Sequence, residues 1–161
     1  MKKILVFICL LFSQQLYAQS TVFLKPDEAL KMMFATSKEV IKEDHVVTAE
    51  ISEKAKKLLS YDLAKSNYAF YIGKTDGKID GYALIDDEVG KVQPITFVTR
   101  INPDGKVAQV EIMVYRESHG GEVTSKRFLN QFRQKNFNDE LRIGSSIVNV
   151  TGATLSSHAL V

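Results

Sequence analysis

The residues with the most chemical potential lie in the last stretch, where positions 148–161 read VNVTGATLSSHALV. Four hydroxyls, Thr151, Thr154, Ser156 and Ser157, surround Gly152 and Ala153. A Thr hydroxyl is a poor nucleophile until a base or an enzyme activates it. From Ser145 onward there is no Asp, Glu, Lys or Cys, and His158, four residues after Thr154, is the nearest base. No acid stands close in sequence to orient that imidazole, which argues against self-catalysed acyl transfer. A hydroxyl displayed to another protein fits better. Gly152 and Ala153 clear side-chain bulk before Thr154, and a helix starting just after it would turn its free N–H groups toward a phosphate. Two plainer readings compete. Ser, Thr and Gly suffice for a capped turn, and Asn149-Val150-Thr151 is a glycosylation sequon, a pattern short enough to arise by chance.

A second constellation is YRESHGGE, residues 115–122. Glu117, His119 and Glu122 are close enough to invite a metal reading, but three ligands on one Gly loop match no standard ligand spacing, so no metal is expected. Gly120 and Gly121 would permit close approach of backbone to a ligand.

These residues need elements to position them. KPDEALKMMFATSKEVIKED begins a helix, with Pro26 at its first position, Asp27 and Glu28 at its positive end, and Leu30, Met33, Phe34, Val40 and Ile41 as an apolar stripe. SEKAKKLLSYDL reads as a second, with Ser52 as its cap. From residue 68 the period changes to two. YAFYIG and KIDGYALID flank Asp76-Gly77, a hairpin turn, and PITFVTRI and KVAQVEIMVYRE flank the turn Asn102–Gly105. Two hairpins form an antiparallel sheet with one buried face, Val110, Ile112 and Val114 pointing inward. Tyr68, Phe70 and Tyr71 read as strand core, and His45 as surface. VTSKRFLNQFRQ carries Phe128, Leu129 and Phe132 at helical spacing, and IGSSIVNV reads as a further short strand. The fold class is α+β, a single domain with helices flanking the sheet.

The same motifs carry a resemblance. TGAT followed by LSS resembles the [ST]-G-A-T-x-[ST] attachment motif of FMN-binding domains, a family that includes flavin-carrying components of the Rnf electron-transport complex and of the sodium-translocating NADH:quinone reductase. DGYALID, INPDGKVAQVEIMVYRESHGGE and FLNQFRQK resemble, in the same order, that family's sheet, flavin-side loop and following helix, over roughly residues 65–161. The resemblance implies a covalent FMN, esterified through its phosphate to Thr154 by an ApbE-type flavin transferase. It implies a cofactor site from Thr151, Gly152, Ala153, Thr154, Leu155 and Ser156, with Glu117, His119 and Gly120 beside the flavin. It also implies electron transfer to a redox partner protein, in some members within a membrane complex. Family members carry an Asp six residues before the modified Thr; Val148 stands there in this chain.

Lys2 and Lys3 precede nine apolar residues, Ile4 to Phe12, and Ala18 offers a small residue for cleavage. Nine residues are too few for the ~30 Å of hydrocarbon that about 20 residues cross. Residues 1–18 therefore read as a signal peptide and 19–161 as the FMN-binding domain, its N-terminal helical part at 25–63 and its sheet and flavin site at 65–161. The protein is expected outside the cytoplasm. Removing the leader takes the formal charge from +2 to zero and removes Cys9, the one cysteine. That excludes a disulfide, a thiolate nucleophile and a Cys-ligated metal from the mature chain. A neutral chain without a Lys/Arg cluster also argues against nucleic acid. The expected function is an exported electron carrier rather than a stand-alone enzyme; the alternative is a secreted α+β binding module that has lost its flavin.

Overall fold

The computed structural model describes residues 20–59 and 62–161; the leader and its cleavage point after Ala18 lie outside the described residues. One six-stranded antiparallel sheet organises the chain, in the order β1-β6-β5-β4-β3-β2. The strands are β1 (Thr21–Val22), β2 (Glu39–Val46), β3 (Asn67–Thr75), β4 (Lys78–Val89), β5 (Pro94–Ile101) and β6 (Val107–Tyr115). Helix α1 (Pro26–Met33) precedes β2, α2 (Ala49–Leu59) follows it, and α3 (Lys126–Leu129) and α4 (Thr154–His158) come after β6. The α+β class and the two hairpins are as expected. Asp76 and Gly77 both adopt positive φ (50° and 75°), the conformation a two-residue β3–β4 turn requires, and Gly105 (φ 81°) closes the β5–β6 turn.

The N-terminal part is not wholly helical. The helix expected to run through Ile41 stops at Met33, and Glu39–Val46 pairs along its whole length with β3, from Glu39 opposite Lys74 to Val46 opposite Asn67. Tertiary pairing overrides the helical stripe here: Val40 and Ile41 are β-branched, and β3 offers a free edge to pair with. Phe34 ends the helix and inserts over Gly73, where a Cβ would lie 2.3 Å from the Phe34 ring. Thr48 rather than Ser52 caps α2, its hydroxyl accepting the Ile51 N–H at 3.3 Å.

The sheet is covered on both faces, not one. On one side α1 packs Ala29, Met33 and Phe34 against Ala83, Val98 and Met113. On the other, Val123, Phe128, Leu129, Phe132, Ile147 and Ala153 cover Ile95, Val110, Ile112 and Tyr115. A strand buried on both faces shows a near-continuous apolar run, and residues 110–113 are buried consecutively. The register slips once within this run. Thr96 faces Val114 but Phe97 faces Ile112, so Met113 is an extra residue on β6. This bulge reverses the alternation: Val110 and Ile112 face the C-terminal layer, Met113 and Val114 face α1, and Tyr115 returns to the C-terminal layer.

The segment expected as one helix from Val123 is broken. A 3₁₀ turn at Gly121–Thr124 ends at Ser125, whose extended backbone (φ −67°, ψ 139°) restarts the chain as the single α-turn α3, and a second 3₁₀ turn covers Asn130–Phe132. Phe128, Leu129 and Phe132 are nevertheless buried as their spacing implied, with Phe128 and Phe132 edge to face at 5.5 Å. IGSSIVNV forms no strand. It makes an isolated bridge between Ile143 and Ile147, and buried Ile147 anchors it to the core.

Candidate functional site

Three segments far apart in sequence meet at one end of the sheet. The β4–β5 turn brings Lys91 and Val92, the segment after β6 brings Glu117, Ser118 and His119, and the start of α4 brings Gly152 to Ser156. Together they line a cleft of about 490 Å³, within the usual range of small-molecule sites.

Tyr115 joins two of the three segments. Its hydroxyl donates to the His119 carbonyl at 2.5 Å and lies 3.0 Å from the Ser156 hydroxyl. The bulge at Met113 is what turns this ring toward α4. Burial pushes the phenol pKa up, the carboxylates of Glu117 and Glu122 push it further, and only the Ser156 hydrogen bond opposes them. Tyr115 is therefore a neutral donor at physiological pH. Gly120 fits under the same junction at φ 83°, where a Cβ would stand 2.9 Å from both the Ser156 and Tyr115 oxygens and 3.3 Å from the Ala153 Cα.

Glu117 joins the third segment. Its carboxylate accepts the backbone N–H groups of Val92 (2.6 Å) and Gln93 (3.0 Å), which fixes the turn that carries Lys91 and Val92. Burial raises the Glu117 pKa, but the N–H donors of Gln93, Val92 and Lys91 and the Lys91 charge outweigh it and hold the carboxyl below the ordinary range. Glu117 thus stays ionised and positions the turn.

Thr154 is exposed and lines the cleft. Helix α4 begins at Thr154 itself, one residue earlier than expected, and its N-cap Ala153 offers no side-chain cap. Five residues make too short a helix for its dipole to hold an anion strongly. Ser156 does not cap the helix; its hydroxyl is engaged by Tyr115. Ser157 is fully buried and its hydroxyl has no partner among the described residues.

The sequence-predicted residues are thereby divided. Glu117, His119, Gly152, Ala153, Thr154, Leu155 and Ser156 converge on the cleft, and Gly120 lies beneath it. Thr151 does not join them. It lines an adjoining hollow of about 630 Å³ with Arg127, Gln131, Val148 and Asn149. Glu122 lines that second hollow as well, so the Glu117–His119–Glu122 spacing is split between two sites. Lys91, Val92 and Tyr115 are site residues that the sequence pattern does not single out. Lys91 and Val92 lie on a turn brought in by strand pairing, and Tyr115 is turned inward by a bulge, so nothing local marks them.

The residues present suit a flat, partly apolar, anionic ligand such as FMN. Val92 (67% exposed) and Leu155 (52% exposed) leave apolar surface open along the cleft, Lys91 supplies a countercharge for phosphate, and the missing side chain at Gly120 leaves the floor low. Among the described residues, no helix is long and apolar enough to cross a membrane.

Comparison with known proteins agrees with this chemistry. The family model described as FMN-binding domain matches residues 90–161, the span that holds all three site segments. The fold is similar to that in the crystal structure of Shewanella oneidensis NqrC, at 15% identity and a TM-score of 0.55, over 81% of this chain and 77% of that one. No curated protein matches the chain at a significant level.

Proposed function

From the match of residues 90–161 to the FMN-binding domain model, we propose that the protein is an electron-carrying flavoprotein of that family, with its FMN joined to Thr154 through a phosphoester. The carrying observation is the exposed Thr154 hydroxyl in a cleft walled by Lys91, Glu117 and His119, with open apolar surface on Val92 and Leu155. Bound FMN supplies reversible acceptance and release of electrons, and the protein supplies attachment, orientation and tuning. Thr154 is the tether. Lys91 balances phosphate charge, Val92 and Leu155 offer apolar area to a flat ring, and Glu117 and Tyr115 hold the walls in place. The neighbour of the Thr154 oxygen is the Asn149 amide, which is not a base. A separate ApbE-type transferase therefore performs the attachment.

The protein acts outside the cytoplasm after its leader is cut near Gln19, and passes electrons to a redox partner protein, with a membrane complex as one setting. Tethering has a physical motive there, since a dissociated flavin is lost to dilution. Intact mass of secreted or periplasmic protein should start at or near Gln19; an intact Met1 would rule export by this route out. Co-expression with the transferase should add the mass of one FMN less one water. Thr154→Ala should abolish the adduct, while Thr151→Ala and Ser157→Ala retain it. An adduct persisting in Thr154→Ala sinks the assignment.

One observation favours the second reading, a binding module without flavin. Val148 is 66% exposed where the family motif has Asp. Protein from the native host separates the two: yellow colour that survives denaturation belongs to the covalent flavoprotein, and colourless protein to the module.

A further inference from the structure

In the sequence Asn149 is half of a sequon; in the fold its side chain reaches the proposed attachment point. Its amide nitrogen lies 3.2 Å from the Thr154 Oγ1, and its amide oxygen accepts the Val150 N–H at 2.9 Å. The second bond settles the first. An amide oxygen committed to an N–H leaves only the NH₂ end to face Thr154, so Asn149 donates and Thr154 accepts.

We propose that Asn149 is a positioning residue for flavin attachment, holding the Thr154 oxygen by a donated hydrogen bond that survives esterification. The inference rests on the proposed attachment at Thr154. In the transfer step, the Thr154 oxygen forms a bond to the FMN phosphorus of a flavin dinucleotide, the pyrophosphate bond breaks, and AMP leaves with the bonding electrons. The hydroxyl proton passes to a base of the transferase.

The sign of the hydrogen bond matters in this step. A neighbour that accepted the hydroxyl proton would lose its bond when that proton left, and a carboxylate there would then face the negative phosphodiester. A donor keeps its bond, because the ester oxygen still has lone pairs. Donation from Asn149 also occupies one lone pair, so the Thr154 proton must point away from Asn149.

The deciding variant is Asn149→Asp in the full chain co-expressed with an ApbE-type transferase. An aspartate is isosteric and still accepts the Val150 N–H, so the local turn is kept while donation to Thr154 is lost. Labelling followed by intact mass should be about tenfold slower than wild type, the loss of one hydrogen bond to a reacting oxygen, with an unchanged melting temperature of the flavin-free protein. Equal labelling rates would overturn the proposal and leave attachment at Thr154 standing. Should Asn149→Asp melt early, Asn149→Ser replaces it, since a serine hydroxyl can serve the Val150 N–H but is too short to reach Thr154. If neither wild type nor Val148→Asp is labelled by a transferase active on another FMN-binding domain, attachment at Thr154 falls and this inference with it.

Discussion

Gly120 shows how much one residue decides in this site. Its φ of 83° is costly for any residue with a Cβ, and that Cβ would press on the Ser156 and Tyr115 oxygens at 2.9 Å. Two penalties therefore coincide, backbone strain and collision with the hydrogen bond joining β6 to α4. Gly120→Val should lower stability by about 2–3 kcal/mol and shift the absorbance spectrum or potential of the flavin-loaded protein, with far-UV circular dichroism nearly unchanged. A folded Gly120→Val protein with wild-type flavin properties would remove this loop from the site. Asn149 and Thr154 act at the same scale, through a single donated bond.

At the scale of elements, the site depends on a turn held by a charge. Glu117 reaches from the loop after β6 to the β4–β5 turn and takes two of its N–H groups. A carboxyl with its pKa lowered in the folded state contributes stability above its unfolded pKa of about 4.3 and loses it as pH falls through the folded value. Wild type should therefore weaken in acid below about pH 4.3, and Glu117→Gln, which cannot ionise, should lose that part of the dependence. Urea midpoints between about pH 3 and 7, a window around that pKa, check it. Identical profiles for the two proteins would show that the turn does not need the charge. The hairpins are legible in the sequence because Asp76-Gly77 and Asn102–Gly105 state their turns in local chemistry. The strand at Glu39–Val46 is not, because its helical stripe is real and only pairing with β3 overrules it. The small residues before Thr154 are legible as the stretch that enters the cleft, whereas Lys91 and Tyr115 are brought beside it through strand pairing, which leaves no local signature.

Across the whole molecule, burial is uneven. The strands β5 and β6 lie between two apolar layers, with Val98 and Ile112 almost wholly enclosed. Helix α2 is the opposite case: Ile51 (46%) and Leu58 (61%) remain exposed, and none of its described side chains is buried. Low burial means low local stability. Amides of α2 should exchange with solvent well before those of β5 and β6, measured by hydrogen–deuterium exchange. Equal protection in the two regions would mean that α2 is held by something these contacts do not include.

The bulge at Met113 carries a consequence for how this chain tolerates change in length. The strand carries one residue more between Ile112 and Tyr115 than plain alternation needs to keep those two on one face. Exchange of Met113 for Leu keeps the bulge, and a volume-conserving swap of this sort costs less than about 1.5 kcal/mol. Deletion of Met113 would restore plain alternation with Ile112 and Tyr115 still on the C-terminal face, while α1 loses one of its buried partners. Both variants should therefore keep the near-ultraviolet circular dichroism of tyrosine and a protease-resistant α4, and the deletion should melt earlier than Met113→Leu. A lost tyrosine signal in the deletion variant would show that Tyr115 needs the bulge itself and not only its face. Between Ile112 and Tyr115 the phase of this strand has one residue to spare.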